Sequence, residues 1–180
     1  MPDFVVATTV DGDAGFAGQT APNPPAAGVA AALTASRAYA ARFTASRSRT
    51  ITKMAFVLTT ASGTNDAVDM GIFDSTGTVL LSSTGSTLGK MNGSSGTQQQ
   101  APLLASVPLR AGVSYYAALA VSATAGAQVW MTTLGAGSGA VLMGAVFPNI
   151  LQTFQAAFPL AAPFSSAGGI SSVPILGLLE

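Results

Sequence analysis

Between Arg37 and Val121 several segments carry apolar residues at every second position, and no stretch sustains a 3.6-residue period. That periodicity admits strands and excludes a helical or alternating α/β core. Thr50 to Thr60 carries it most plainly, with Met54, Phe56 and Leu58 on one face and Lys53, Ala55, Val57 and Thr59 on the other. Arg37 to Phe43 repeats it, Tyr39, Ala41 and Phe43 opposing Ala38, Ala40 and Arg42. Val68, Met70 and Ile72 alternate with Asp69 and Gly71. Asp74-Ser75-Thr76-Gly77 then suits a tight hairpin turn into Val79-Leu80-Leu81. Leu103–Leu109 and Val113–Val121, joined at Arg110-Ala111-Gly112, predict two more strands. Gln128–Thr132 and Ile170–Leu179 predict another each.

Short strands separated by turn chemistry predict an all-β antiparallel sandwich, jelly-roll-like, over residues 37–180. Residues 1–36 read as an extended N-terminal arm, because Asp11-Gly12-Asp13, Gly15, Gly18 and the Pro22-Asn23-Pro24-Pro25 cluster interrupt any regular element. Within the arm, Ala26 to Ala35 is Ala-rich enough for a short helix, although Gly28 weighs against it. Ser82–Gln100, rich in Ser, Gly, Thr and Gln, reads as a long exposed connection and a candidate contact loop.

The chemistry on offer is narrow. Histidine and cysteine are both absent, so no Ser–His or Cys–His nucleophile and no thiolate metal site can form. The carboxylates are Asp3, Asp11, Asp13, Asp66, Asp69, Asp74 and Glu180, which leaves 105 residues, Ser75 to Leu179, without an acid. Turn and surface roles suit Asp66, Asp69 and Asp74 better than acid–base roles. Two readings of the oxygen-rich segments stay open: Asx turns, or a calcium site from Asn65, Asp66 and Asp69 or from Asp11-Gly12-Asp13-Ala14-Gly15. The expectation is a protein that is not an enzyme and uses no cofactor. Met1-Pro2-Asp3-Phe4 lacks the basic stretch and apolar core of a secretory leader, and the most apolar window, Ala140–Leu151, is broken by Gly144, Pro148 and Asn149, so neither a leader nor a membrane span is expected.

Charge is sparse and unevenly placed. Only 8% of residues are charged, against roughly a quarter in ordinary soluble domains. A neutral chain with 49% hydrophobic residues folds and tends to associate; it has no field to attract nucleic acid. Residues 1–13 hold Asp3, Asp11 and Asp13 and no base, whereas Arg37, Arg42, Arg47, Arg49 and Lys53 follow with no acid among them. Either the acidic arm, from its own chain or a neighbour, docks on this basic strand pair, or the basic face is simply solvated. From Ala111 to Leu179, 69 residues carry no charge at all. Such a run is expected at an assembly surface, since obligate interfaces are depleted in charge; the alternative is that Ser, Thr, Gln and Gly suffice for solubility.

Three pieces resemble one known module: Ile51-Thr-Lys-Met-Ala-Phe-Val-Leu-Thr-Thr-Ala-Ser, Val68-Asp-Met-Gly-Ile-Phe-Asp-Ser-Thr-Gly-Thr-Val-Leu, and Val107-Pro-Leu-Arg-Ala-Gly-Val-Ser-Tyr-Tyr-Ala-Ala-Leu-Ala. They are similar to the sheet strands of a jelly-roll or β-sandwich module of tailed-bacteriophage minor tail, tail-fibre and head-fibre proteins, and lie within residues 51–121. The resemblance implies a structural virion component, in the tail, a fibre or as capsid decoration. It further implies self-association, trimeric in fibres, contact with other virion proteins, and attachment to a host-surface glycan as the alternative role. It carries no catalytic residues. Trp130, Tyr115 and Tyr116 are the aromatics available to stack on a sugar, set against the ordinary core role of an aromatic in an alternating strand.

Overall fold

The computed structural model of the protein describes residues 29–35, 37–45, 47–62, 66–88, 90–91, 93–122, 127–133, 150–153, 158–163, 172–174 and 176–180. Among these, the regular elements are all strands: β1 (Val29–Ala32), β2 (Ala38–Thr44), β3 (Arg49–Thr60), β4 (Val68–Phe73), β5 (Leu80–Ser83) and β6 (Thr97–Leu109). They continue with β7 (Ser114–Val121), β8 (Gln128–Thr133), β9 (Ile150–Thr153), β10 (Ser172–Pro174) and β11 (Leu176–Leu179).

The first eight strands pair antiparallel as β1 with β8, β2 with β7, β3 with β6 and β4 with β5. That is one long ribbon folded back at the β4–β5 hairpin. Winding the ribbon brings β3 beside β8 and β4 beside β7, which closes it into two sheets. The sheets run β1-β8-β3-β6 and β5-β4-β7-β2, the order of a jelly roll. The expected all-β sandwich is therefore the fold. Strand β9 extends the second sheet beyond β2. Strand β10 pairs with β8, and β11 with β3, where those two strands part beyond Leu58–Val129.

Each strand's alternation is spent on the space between the sheets. Met54, Phe56 and Leu58 of β3 meet Val68, Met70 and Ile72 of β4, with Phe43, Leu119 and Val129, in one buried cluster. Phe43 stacks on Tyr115 with ring centroids 5.8 Å apart. Two tyrosines turn their hydroxyls outward to the preceding turns: Tyr39 Oη accepts from Thr34 N at 3.1 Å, and Tyr115 Oη from Arg110 N at 3.0 Å. Both partners lie five residues upstream, so paired strands β2 and β7 are stapled to their entry turns in the same way. The corners β2–β3 and β6–β7 are latched together by Ala45 N to Val113 O at 3.0 Å and Gly112 N to Ala45 O at 2.8 Å. The β4–β5 turn closes as its sequence predicts. The Asp74 carboxylate accepts from Thr78 N and Val79 N at 2.9 and 3.1 Å, and Gly77 adopts φ 73, a region costly to any side chain.

The central strands of the second sheet, β4 and β7, are buried on both faces, which alternation alone does not predict. Every residue of β4 is buried, as is every β7 residue from Tyr115 to Val121. On the side away from the first sheet, Ala38, Ala40, Phe73, Tyr116, Ala118 and Ala120 form a second cluster capped by Leu160 and half-buried Phe158. The floor is made of small residues, so the cap sits close. A Cβ at Gly71 would lie 3.0 Å from Leu160 Cδ1, 3.0 Å from Leu80 Cδ1 and 3.1 Å from Ser82 O. Part of the charge-free run from Ala111 to Leu179 is thus covered by the chain itself.

Three expectations change. Residues 29–32 of the presumed arm form strand β1 rather than a helix. Ala31 packs against the core and the backbone gains partners along β8, which a short isolated helix over Ala26–Ala35 would not supply. Residues 97–100 belong to β6, not to an exposed connection, because they pair with β3 from Ala55 to Leu58. Strands β2 and β3 do not form a basic strand pair; they lie in opposite sheets.

Gly71→Ala is expected to destabilise the fold by about 1–3 kcal/mol, the usual cost of overpacking. The urea unfolding midpoint measures it, with an unchanged midpoint contradicting the close seat of Leu160.

Candidate functional site

The carboxylates of the described core serve the fold. Asp66 accepts the Ser62 hydroxyl at 2.7 Å, and Ser62 N donates to Met91 O at 2.6 Å, which closes the loop after β3. Asp69, on the outward face of β4 and 1% exposed, accepts from Leu160 N at 2.9 Å and from the Thr84 hydroxyl at 3.3 Å. Thr84 Oγ1 in turn accepts from Met70 N at 2.9 Å. Asp69 therefore holds the capping segment and the turn after β5 to the same strand. Of the calcium candidates, Asn65 lies outside the described residues, as do Asp11 and Asp13. No group of three or more His, Cys, Asp or Glu that could hold a metal occurs among the described residues.

The basic residues disperse. Arg42 projects from the outer face of β2, opposite Tyr116 of β7, and its Nε is buried without a hydrogen-bond partner. Burial pushes the Tyr116 phenol above its ordinary value, and the Arg42 charge offsets part of that rise. Arg37 is half-buried ahead of β2, and Arg47 is exposed in the β2–β3 turn. Arg49 Nε bonds Glu180 Oε1 at 3.2 Å, so its acidic partner is the chain's own C-terminal residue. Asp3, Asp11 and Asp13 lie outside the described residues. Among the aromatics, Tyr115 and Tyr116 are buried, whereas Trp130 is 41% exposed on the outer face of the first sheet.

The most unusual surface is a corner between the sheets. Strand β6 departs from its ladder with β3: Ile51 pairs with Val107 but Lys53 with Pro102, so Leu103 to Ser106 all stand opposite Thr52. The Pro102 and Pro108 rings, which donate no hydrogen bond, fit a strand at the sheet edge. The bulge crosses to the other sheet, where Ala105 N donates to Ser82 Oγ of β5 at 3.0 Å. Leu103 turns inward, and Leu104, 79% exposed, stands over Gly85. Val79, Leu81 and Leu88 are exposed on the adjoining β5 edge and turn. Neither Val79–Leu88 nor Ala101–Leu109 contains a charged residue. The adjacent Leu103-Leu104 pair, which breaks the alternation, was the available signal of this bulge.

No protein-family model and no curated protein matches the chain.

The pH dependence of stability follows from the two resolved carboxylates. Burial pushes Asp69 above its ordinary 3.8, and the hydrogen bonds from Leu160, Ser83, Thr84 and Gly85 offset only part of it. Its contribution is complete below the unfolded value and is lost as pH rises through the folded one. For Asp74, slight burial is outweighed by hydrogen bonds from Thr76, Val79 and Thr78, so its carboxyl is held below 3.8. That contribution is present above 3.8 and lost as pH falls through the folded value. The stability of Asp69→Asn relative to the unsubstituted protein should therefore rise between about pH 3 and about pH 7. Urea titrations at the two pH values test this; a relative stability that falls with pH contradicts it.

Proposed function

We propose that the chain is a non-catalytic structural module of a tailed-bacteriophage particle, in the tail, a fibre or the capsid surface, acting by subunit assembly. The observation that carries this reading is the uncharged apolar corner of Val79, Leu81, Leu88 and Leu104. Single exposed leucines are ordinary, but Leu104 stands on a bulge that Ala105 N ties to Ser82 of β5, the strand that carries exposed Leu81 between exposed Val79 and Leu88, and this supports a contact surface. A second copy of the chain is its occupant: the surface lacks the charges that would select a charged partner, and low net charge favours self-contact. The resemblance of residues 51–121 to phage tail and fibre modules supports the same reading, because those residues make up most of β3 to β7 and include the bulge.

The carboxylates support a non-catalytic role through their occupation. Asp66 and Asp69 are buried and bound to Ser62, Leu160 and Thr84, and Asp74 is spent on its turn.

Light scattering on the eluting protein should give an oligomeric mass, and Leu104→Glu should shift it to the monomer without lowering the melting temperature. A wild-type chain that stays monomeric at high concentration overturns the proposal.

A further inference from the structure

The outer face of the first sheet carries a second group of side chains suited to a ligand. Val129 and Met131 of β8 point into the core, so Gln128 and Trp130 point out. Across the ladder, Ala30 pairs with Trp130 and Ala32 with Gln128 on one side, and Thr60 with Gln128 on the other. Paired residues share a face, so Ala30, Ala32, Trp130, Gln128 and Thr60 form one continuous outward strip. Ala30, Ala32, Thr60 and Trp130 are exposed and Gln128 is half-buried.

Each member has capacity left over. The Thr60 hydroxyl donates to Gln128 Oε1 at 3.2 Å, which orients the amide and leaves both Nε2 hydrogens without an acceptor among the described residues. The Trp130 indole N–H likewise donates to none of them. The indole is 41% exposed, and the residues facing it across the β1 ladder are alanines with only a methyl each. No carboxylate lies on this strip: Asp66, Asp69 and Asp74 belong to the other sheet and its loops, and Glu180 is engaged by Arg49.

We infer that this strip is a binding site for a neutral glycan. A sugar ring has an apolar C–H face and a hydroxyl rim. The indole and the two alanines match the first, while the Gln128 amide, the Thr60 oxygen and the indole N–H match the second. A charged sugar finds no counter-ion on the strip, and an apolar ligand would leave the amide hydrogens unpaired. Gln98 extends the site: it is exposed and outward on β6, two strand spacings or about 10 Å from β8, within reach of a short oligosaccharide. This goes beyond the assembly role and uses none of the residues of the apolar corner.

Trp130 is the only tryptophan of the chain, so its emission reports the site directly. The full chain is titrated with maltotriose, cellotriose, mannotriose and chitotriose, and with 3′-sialyllactose as the charged comparison. The expected result is a saturable shift of emission with at least one neutral trisaccharide. Gln128→Ala should weaken it roughly five-fold, the loss of one neutral hydrogen bond. Trp130→Ala should abolish retention on beads bearing the same sugar, and Trp130→Phe should restore part of it. Should Trp130→Ala fail to fold, the Gln128→Ala and Trp130→Phe results decide. No shift with any neutral trisaccharide at millimolar concentration, a response to 3′-sialyllactose alone, or retention unaffected by these substitutions overturns the inference.

Discussion

The hydrogen bond from the Leu160 amide to the buried Asp69 carboxylate holds the outer layer of this protein in place. Its two ends are 91 residues apart in the chain. A carboxylate at 1% exposure is costly unless its oxygens are satisfied, and here one oxygen takes the Leu160 amide while the other takes the Thr84 hydroxyl. With that anchor, Leu160 settles on Gly71, and the alanine floor of β2 and β7 is sealed. Without it, the outer face of the second sheet would present Phe73, Tyr116 and four alanines to water.

This arrangement explains how the chain tolerates so few charges. A two-layer sandwich leaves one face of each strand to solvent, where charged residues normally stand. Strand β7 has no such face, and its run of Tyr115 to Val121 can be apolar throughout. Several of the few charges sit at turns and chain ends: Arg49 against Glu180, Asp74 in its turn, Arg47 in another. Among the exposed uncharged residues described, the Leu104 bulge and the Trp130 strip lie on different parts of the sandwich and have different chemistry. One is aliphatic throughout, and the other combines an aromatic ring with amide donors.

Much of the fold was legible in the sequence, because a half-buried strand writes itself as alternation. Arg49–Thr60 and the turn at Asp74 follow directly from Met54, Phe56, Leu58 and Gly77. The failures share a physical cause. Strand β1 is recognisable only through its partner β8, about a hundred residues away, since VAAA has no period of its own. Residues 97–100 look like linker because Gln98 and Gln100 face solvent on an edge strand. The sheet to which a strand belongs is a long-range property, so β6 and β7, adjacent in sequence, part at Gly112 into opposite sheets. The sites were legible to the same extent: Trp130 stands out as a lone residue, but Thr60 and Gln128 meet across 68 residues and no local pattern joins them.

The central claim is that the second sheet is covered on its outer face by its own chain. Methyl-labelled nuclear Overhauser spectroscopy tests it at the closest contact, between the Leu160 δ-methyls and the Gly71 α-protons. A strong cross-peak whose intensity is unchanged on dilution is expected. Its absence, or its disappearance as the protein is diluted below the concentration at which copies associate, would contradict the claim and transfer the cover to a neighbouring subunit.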